Sequence, residues 1–316
     1  MTNYLNTANS AQIKTVVVPA AGHGTRFLPA TKTVPKELLP VVDTPGIELI
    51  AEEAAELGAS RMAIITSPSK PGLLRHFEDF PELVSTLQAR GKHEQVAMVE
   101  RAGRLIEPVS VVQHEALGLG HAVGLAESAL DDDEEAFAVM LPDDLVLPFG
   151  VLEQMAEVRA SFGGSVLCAF EVTPEEVSSY GVFEVMEICP DEGLPTETVK
   201  QVIGMVEKPP AAEAPSRLAA AGRYLLDRAV FDALRRIKPG QGGELQLTDA
   251  IELMIKEGHP VHVVIHQGKR HDLGNPAGYI PACVDFGLSH PKYGRALRDT
   301  IGAVLQEYDD REASLA

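Results

Sequence analysis

Cysteine and basic residues are both scarce in this sequence. The three cysteines, Cys168, Cys189 and Cys283, lie far apart, and their odd number and spacing fit neither a disulfide framework nor a set of zinc ligands. We therefore expect a protein of the reducing cytoplasm. Acidic residues number 46 against 27 basic ones, which gives a net charge of −19. Because proteins that bind nucleic acids normally present a basic surface, this balance argues against a polynucleotide partner.

Long apolar runs and common hydrolase motifs are also missing. No segment approaches the roughly 20 consecutive apolar residues that a membrane-spanning helix needs, so we expect no membrane partner. Residues 1–10 contain neither a basic region nor an apolar run, which argues against a secretory signal. The sequence contains no G-x-S-x-G and no H-E-x-x-H motif, so a serine hydrolase or a zinc protease has no support.

The first half of the chain alternates strands with helices. Apolar and β-branched runs predict strands at 14–19, 61–67, 109–113, 136–141 and 165–172, and helical patterns predict helices at 48–57, 120–130 and 151–160. Such alternation predicts a doubly wound, mostly parallel, Rossmann-like α/β sheet. Residues 70–104 are polar and helical in pattern, and we interpret them as an excursion from that sheet.

The second half changes to an α+β pattern. Strands are predicted at 180–188, 200–208 and 261–266, and helices at 224–236 and 247–256. Because the first two of these strands have no helix between them, we expect this half to cover a substrate held by the sheet. The predicted organisation is a flexible N-terminal arm (1–13), one domain (14–287) and a C-terminal helical appendage (288–316).

A glycine loop follows the first predicted strand. In Ala20-Ala21-Gly22-His23-Gly24, the two glycines allow backbone N–H groups to approach an anion without a side-chain clash. The loop lacks the third glycine of the dinucleotide fingerprint, where Phe27 stands, and the Gly-Lys-Ser/Thr ending of a Walker A loop. On its own, such a loop is more often a tight turn.

The residues after the loop make the motif specific. Residues 22–40 read G-x-G-T-R-hydrophobic-L-P-A-T-K-x-x-P-K-E-hydrophobic-L-P. This segment resembles the sugar-nucleotide pyrophosphorylases, and within them the bacterial UTP–glucose-1-phosphate uridylyltransferases. The resemblance implies that the loop, including Ala20, Ala21, Gly22 and Gly24, wraps the triphosphate. It also implies that Arg26 and Lys36 neutralise phosphate oxygens as catalytic residues.

A second block, residues 113–123, matches the same family. The resemblance assigns Gln113 and Gly118 to the edge of the pyrimidine base. An amide side chain offers both a donor and an acceptor, which the imide edge of a pyrimidine can use together. We interpret the neighbouring His114 and His121 as ordinary packed or loop residues.

Two aspartates in distant segments match the metal ligands of the family. Asp143 ends a predicted central strand, where ligands gather in open α/β sheets, and Asp272 lies in the H-D-x-G-N segment at 271–275. The resemblance implies that both bind Mg²⁺, which usually takes only one or two protein carboxylates. Spacing alone could not have paired them. Asp144 is expected to support the site at most indirectly.

Four residues of the second half match the sugar-binding part of the family. The resemblance assigns close backbone approach to the hexose to Gly181 and hydrogen bonds with its hydroxyls to Glu207. It assigns the sugar phosphate to Lys208, which is thereby a third catalytic residue. Tyr224 is a further candidate on the sugar side. Glu207 and Lys208 are adjacent on a predicted strand and should point to opposite faces. One of them therefore needs a local bend to reach the same ligand.

The resemblance predicts the reaction UTP + α-D-glucose 1-phosphate → UDP-glucose + pyrophosphate, with Mg²⁺ as cofactor. The rival hypotheses are a thymidylyl- or adenylyltransferase that acts on a sugar 1-phosphate, and a non-catalytic regulator that binds a nucleotide sugar. Family members are usually oligomeric, and residues 293–307 carry an apolar helical stripe. We therefore expect a homodimer or a homotetramer.

Overall fold

The computed structural model of the chain describes residues 13–188 and 197–315. The predicted N-terminal arm, apart from residue 13, and Cys189 lie outside the described residues. The first half contains β1 (Thr15–Pro19), β2 (Pro40–Val41), β3 (Thr44–Pro45), α1 (Gly46–Glu56), β4 (Arg61–Thr66), α2 (Gly72–Arg75), α3 (Pro81–Ala89), α4 (His93–Leu105), β5 (Glu107–Val112), α5 (Leu119–Leu125), β6 (Ala136–Met140), β7 (Asp144–Leu147) and α6 (Val151–Phe162). The second half contains β8 (Ser165–Glu171), β9 (Gly181–Glu187), β10 (Val199–Glu207), β11 (Leu218–Asp227), α7 (Val230–Arg236), α8 (Leu247–Lys256), β12 (Val261–Ile265), β13 (Lys269–Asp272), α9 (Pro276–Ser289) and α10 (Gly294–Leu315).

The central element is a nine-stranded sheet with the order β5-β4-β1-β6-β11-β8-β12-β10-β9. Strands β5, β4, β1 and β6 pair in parallel, and β8 pairs in parallel with β12. Only β11 and β10 run against the other seven strands of this sheet, because every pairing that involves them is antiparallel. The predicted mostly parallel sheet is therefore confirmed.

Helices cover both faces of this sheet. Side chains alternate along β1, so that Val16 and Val18 belong to one core and Val17 to the other. Helices α1, α4 and α6 contribute to the first core, and α5, α7 and α8 contribute to the second. This arrangement is the doubly wound one that the alternation of strands and helices predicted.

The predicted helix at 224–236 is wrong in its first part. The strand β11 continues through Asp227, and the helix α7 begins only at Val230. β11 lies at the centre of the sheet, and Tyr224, Leu225 and Leu226 on it are all buried. A strand that is buried on both faces shows no alternation of polar and apolar residues, so its leucines and alanines resemble a buried helix.

A short two-stranded ribbon was not predicted from the sequence. β7 and β13 pair in antiparallel register, with Asp144 opposite Asp272. Each strand has only four residues and a mixed polar sequence, which gives little periodic signal. This ribbon joins the end of β6 to the late part of the chain.

Helices α9 and α10 end the described chain. α10 contacts α9 near Gly287, where a methyl group would lie 2.5 Å from the Leu297 side chain. Apolar side chains remain exposed on both helices, namely Ile280, Val284, Val304, Leu305 and Tyr308. Within residues 13–188 and 197–315, no helix is long and apolar enough to span a membrane.

Candidate active site

The loops that follow β1, β5 and β6 meet at one edge of the sheet, because these strands are parallel neighbours of β4 or of each other. Ligands of open α/β sheets bind at this carboxyl edge. A cleft of about 420 Å³ lies there. The predicted site residues that line it are Arg26, Asp143, Gly181, Glu207, Lys208, Tyr224 and Asp272. Ala20, Ala21, Gly22, Gly24, Lys36, Gln113 and Gly118 do not line this cleft and lie in the loops after β1 and β5.

The glycine loop is ordered by contacts with the segment that follows it. Gly24 has a left-handed backbone (φ 64°), and its carbonyl accepts a hydrogen bond of 2.7 Å from the Thr31 hydroxyl. A methyl group at Gly24 would lie 3.3 Å from Lys36 Cβ, whereas one at Gly22 would meet nothing within 4 Å. Gly24 therefore permits a close turn, and Gly22 leaves the backbone open to a ligand.

A buried ion pair holds the start of this loop, and the sequence did not predict it. Lys70 donates to the carbonyl of Ala20 at 2.8 Å and to both oxygens of Glu37 at 3.0 and 3.1 Å. Burial lowers the pKa of Lys70 and raises that of Glu37, although each charge favours the ionised form of the other. Nothing in the polar pattern of 70–104 distinguishes Lys70 from the other cations there.

Lys36 reaches the cleft through Asp143. Its ammonium nitrogen lies 2.5 Å from Asp143 Oδ2, and the two side chains are 16% and 31% exposed. Burial acts to raise the pKa of Asp143, but the charge and hydrogen bond of Lys36 outweigh it, and Arg26 adds to the effect. The net pKa lies below the usual value, so Asp143 is a carboxylate.

The ribbon of β7 and β13 brings the two predicted metal ligands together. A methyl group at Gly274 would lie 2.9 Å from Asp272 Oδ1 and 3.0 Å from Asp143 Oδ2, so both oxygens border the same small space. Asp272 accepts hydrogen bonds from the Gly274 amide at 2.7 Å and from the Asn275 side chain at 2.6 Å. These bonds fix the orientation of its carboxylate. The described residues form no group of three or more metal-ligating side chains.

Lys208 supplies the bend that the sugar-side motif requires. Its φ is 44°, a left-handed value that non-glycine residues rarely adopt and that costs on the order of 1–3 kcal/mol. The Lys208 amide donates to the carbonyl of Tyr180 at 3.0 Å, and its ammonium lies 3.1 Å from Glu207 Oε1. The bend resolves the conflict with strand alternation, because both side chains now reach the same cleft.

Glu207 is oriented by the start of α8. The Thr248 hydroxyl donates to Glu207 Oε2 at 2.7 Å. Gly181 lies opposite Glu207 in the pairing of β9 with β10, and a methyl group there would approach Thr248 Oγ1 to 3.1 Å and Glu207 Oε2 to 3.3 Å. Glycine at 181 therefore keeps this side of the cleft open. Tyr224 lines the same cleft from β11, and burial raises the pKa of its hydroxyl.

The predicted base-binding residues lie after β5 and at the start of α5. Gly118 has φ 100°, and a methyl group there would approach Leu245 O and Glu244 Cβ to 2.7 Å. Gln113 is buried, and its backbone amide donates to the carbonyl of Thr66 at 2.7 Å. Its side-chain nitrogen lies 2.9 Å from Nδ1 of His121. His121 is therefore in contact with a predicted site residue. The sequence analysis, which interpreted His121 as an ordinary packed or loop residue, did not predict this contact.

The chain is similar to known proteins over most of its length. A family model for nucleotidyl transferases matches residues 15–286. The chain is 39% identical over 302 residues to the UTP–glucose-1-phosphate uridylyltransferase YngB of Bacillus subtilis (strain 168), which covers 95% of this chain and 97% of that protein. The chain belongs to the nucleotidyl transferase family.

Solved structures of the family are similar over most of the chain. The UTP-bound UGPase from Acinetobacter baumannii has 36% identity and a TM-score of 0.81, over 92% of this chain and 98% of that one. A UDP-glucose pyrophosphorylase complexed with UDP-glucose has 37% identity and a TM-score of 0.75, over 87% and 98%. These comparisons confirm the resemblance seen in residues 22–40, the nucleotidyltransferase fold and the enzyme class.

Arg270 also lines the cleft, and the sequence analysis did not identify it. Its Nε lies 2.7 Å from Asp144 Oδ1, close enough for an ion pair but not aligned as a hydrogen bond. Its guanidinium also donates to the Tyr180 hydroxyl at 3.1 Å and lies 4.3 Å from the centre of the Phe170 ring. Arg270 and Asp144 thus connect the ribbon of β7 and β13 to the segment before Gly181. No sequence signal indicated this pairing.

Proposed function

We propose that this chain transfers the uridylyl group of UTP to α-D-glucose 1-phosphate and releases UDP-glucose and pyrophosphate. The observation that supports this most directly is the single cleft that joins Asp143 and Asp272 to Glu207 and Lys208. The relatives support the choice of substrates, since they are named UTP–glucose-1-phosphate uridylyltransferases and include structures with UTP and with UDP-glucose.

The nucleotide half of the site is the carboxyl edge of β1, β5 and β6. The open backbone at Gly22 and the cations Arg26 and Lys36 are suited to a triphosphate, in a protein whose net charge is −19. Gln113 and Gly118 are proposed to hold the base. Because the whole protein repels anions, these few positive groups provide most of the local attraction for the nucleotide.

Asp143 and Asp272 are proposed to hold a Mg²⁺ ion. The fit is good, because two carboxylate oxygens border one small space and Mg²⁺ accepts one or two protein carboxylates together with phosphate oxygens and water. When bound, Mg²⁺ would supply positive charge that neutralises phosphate oxygens of the nucleotide. The hydrogen bonds from Gly274 and Asn275 keep Asp272 facing this space.

The sugar phosphate reacts without a general base in this proposal. An oxygen of glucose 1-phosphate, already anionic near pH 7, attacks the α-phosphorus of UTP. A new P–O bond forms there, the bond from the α-phosphorus to the bridging oxygen breaks, and pyrophosphate leaves with the electron pair. Lys208 binds the attacking phosphate, and Glu207 and Gly181 bind the hexose. Alignment and charge neutralisation therefore provide the catalysis.

A matrix of nucleoside triphosphates against sugar 1-phosphates, with pyrophosphate release as the readout, tests this function. UTP with α-D-glucose 1-phosphate is expected to give the highest kcat/KM. A preference for dTTP or ATP would favour the rival transferases, and no turnover with any pair would favour a non-catalytic binding protein. The convergence of Asp143, Asp272 and Lys208 on one cleft supports the catalytic alternative.

Three further proposals concern the whole protein. The domain division at residues 14–287 and 288–316 is supported by α10, which contacts the rest of the chain near Gly287. A homodimer or homotetramer is supported by the exposed apolar side chains of α9 and α10. A cytoplasmic location is supported by the scattered cysteines.

A further inference from the structure

The side-chain amide of Gln113 has a defined orientation because its nitrogen lies between two acceptors. Gln113 Nε2 is 2.9 Å from Nδ1 of His121 and 3.5 Å from the carbonyl oxygen of Gly118. A carbonyl oxygen can only accept hydrogen bonds. If the amide were rotated by 180°, its oxygen would face the Gly118 oxygen. The nitrogen therefore belongs on this side, and His121 accepts through Nδ1 and carries its proton on Nε2.

This orientation leaves the amide oxygen for a ligand. Among the described residues no group donates a hydrogen bond to Gln113 Oε1, and the surrounding protein does not enclose this oxygen completely. An acceptor without a protein partner at this place is complementary to a base that presents an N–H group. Uracil and thymine carry a proton on N3, whereas N3 of cytosine is an acceptor.

We propose that His121 is a positioning residue that makes the base site prefer uracil or thymine, which carry a proton on N3, over cytosine. By accepting from Gln113 Nε2, it acts together with the Gly118 carbonyl to keep Oε1 directed towards the base and to oppose the rotation that cytosine would require. The discrimination arises because cytosine then places its N3 acceptor against the Oε1 acceptor. This inference rests on the proposed function for the assignment of Gln113 to the base.

Three variants separate the acceptor of His121 from its shape. His121→Phe keeps an aromatic ring but removes the acceptor. His121→Leu also removes the acceptor and replaces the ring with an aliphatic side chain. His121→Asn keeps an acceptor oxygen, Oδ1, at the same number of bonds from the backbone as Nδ1. His93→Phe, at the start of the distant helix α4, is the control for the loss of an exposed histidine.

The measurement is the ratio of kcat/KM for UTP to kcat/KM for CTP, with glucose 1-phosphate as the second substrate. We expect the Phe and Leu variants to lower this ratio about tenfold or more, which is the effect of one net hydrogen bond of about 1.4 kcal/mol. The Asn variant and the His93 control should keep the ratio within about threefold of wild type. The KM for glucose 1-phosphate should be unchanged in every variant.

The outcomes distinguish this inference from the function on which it rests. A wild-type protein that uses no pyrimidine nucleoside triphosphate would overturn the proposed function. A wild-type protein that prefers UTP, together with Phe and Leu variants of unchanged UTP-to-CTP ratio, would overturn only the role of His121. A loss of selectivity in the Asn variant equal to that in the Phe variant would also overturn it, because shape rather than the acceptor would then matter.

Discussion

Lys36 and a divalent cation should compete for Asp143. The Lys36 ammonium lies 2.5 Å from Asp143 Oδ2, the oxygen that shares a small space with Asp272 Oδ1. A Mg²⁺ ion sits about 2.0–2.1 Å from its oxygen ligands, so an ammonium in hydrogen-bond contact with the same oxygen would repel it. Metal binding therefore has to displace Lys36. Replacing Lys36 with methionine, which keeps the apolar stem and removes the charge, should strengthen metal binding in the absence of nucleotide.

The size of the effect follows from the burial of the pair. A fully exposed ion pair contributes up to about 1 kcal/mol, whereas two unit charges 4 Å apart interact by about 4 kcal/mol at an effective dielectric constant of 20. The side chains of Lys36 and Asp143 are 16% and 31% exposed, between these two situations. We therefore expect Lys36→Met to raise metal affinity by about 1–3 kcal/mol, or roughly five- to 150-fold.

Titration of the protein with Mn²⁺, followed by electron paramagnetic resonance of the free ion, measures this affinity without turnover. Lys32→Met is the matched control, because Lys32 is an exposed cation of the same loop, whereas the lysine paired with Asp143 is Lys36. The control should bind Mn²⁺ as the wild type does. Equal or weaker Mn²⁺ binding in Lys36→Met than in the control would refute the competition. The effect on catalysis should be the opposite. With UTP present, Lys36→Met should lower kcat/KM.

Four other variants test separate parts of the structure. Asp143→Asn should lower kcat by at least about a hundredfold with an unchanged circular dichroism spectrum, since a metal ligand loses its charge; Mg²⁺-dependent turnover near that of wild type would contradict the metal site. Lys208→Ala should raise the KM for glucose 1-phosphate far more than the Kd for UTP in binding calorimetry, and the opposite split would contradict its place on the sugar side. Burial lowers the pKa of His262 from 6.5, so the unfolded chain binds the additional proton first and stability falls as the pH drops below about 6.5. His262→Phe should reduce the loss of unfolding free energy between pH 7 and pH 5 in urea denaturation, and an identical loss in both proteins would be inconsistent with this. A chain truncated after Gly287 should be a smaller oligomer than the full chain by light scattering; an unchanged oligomer would place the interface outside α10.

The features that could be predicted from the sequence are those that depend on residues close together along the chain. The strand before Ala20, the glycine loop and the helix ended by Gly58 each follow from residue types within a few positions, and the structure contains all of them. The motif at residues 22–40 identified the family for the same reason, because a phosphate-binding loop is a continuous segment. Where a strand is buried on both faces, as around Tyr224, the local pattern carries no alternation and the prediction was wrong.

Only the tertiary structure decided which distant residues meet. Asp143 and Asp272 come together because β7 pairs with β13, and neither four-residue strand has a periodic signal. The contacts of Lys70 with Ala20, and of Arg270 with Asp144, depend in the same way on the docking of separate segments. The sequence alone determined the family, the order of most elements and the residue types available for chemistry. The structure determined their distances and orientations, because these arise from packing between segments and are not encoded in the spacing along the chain.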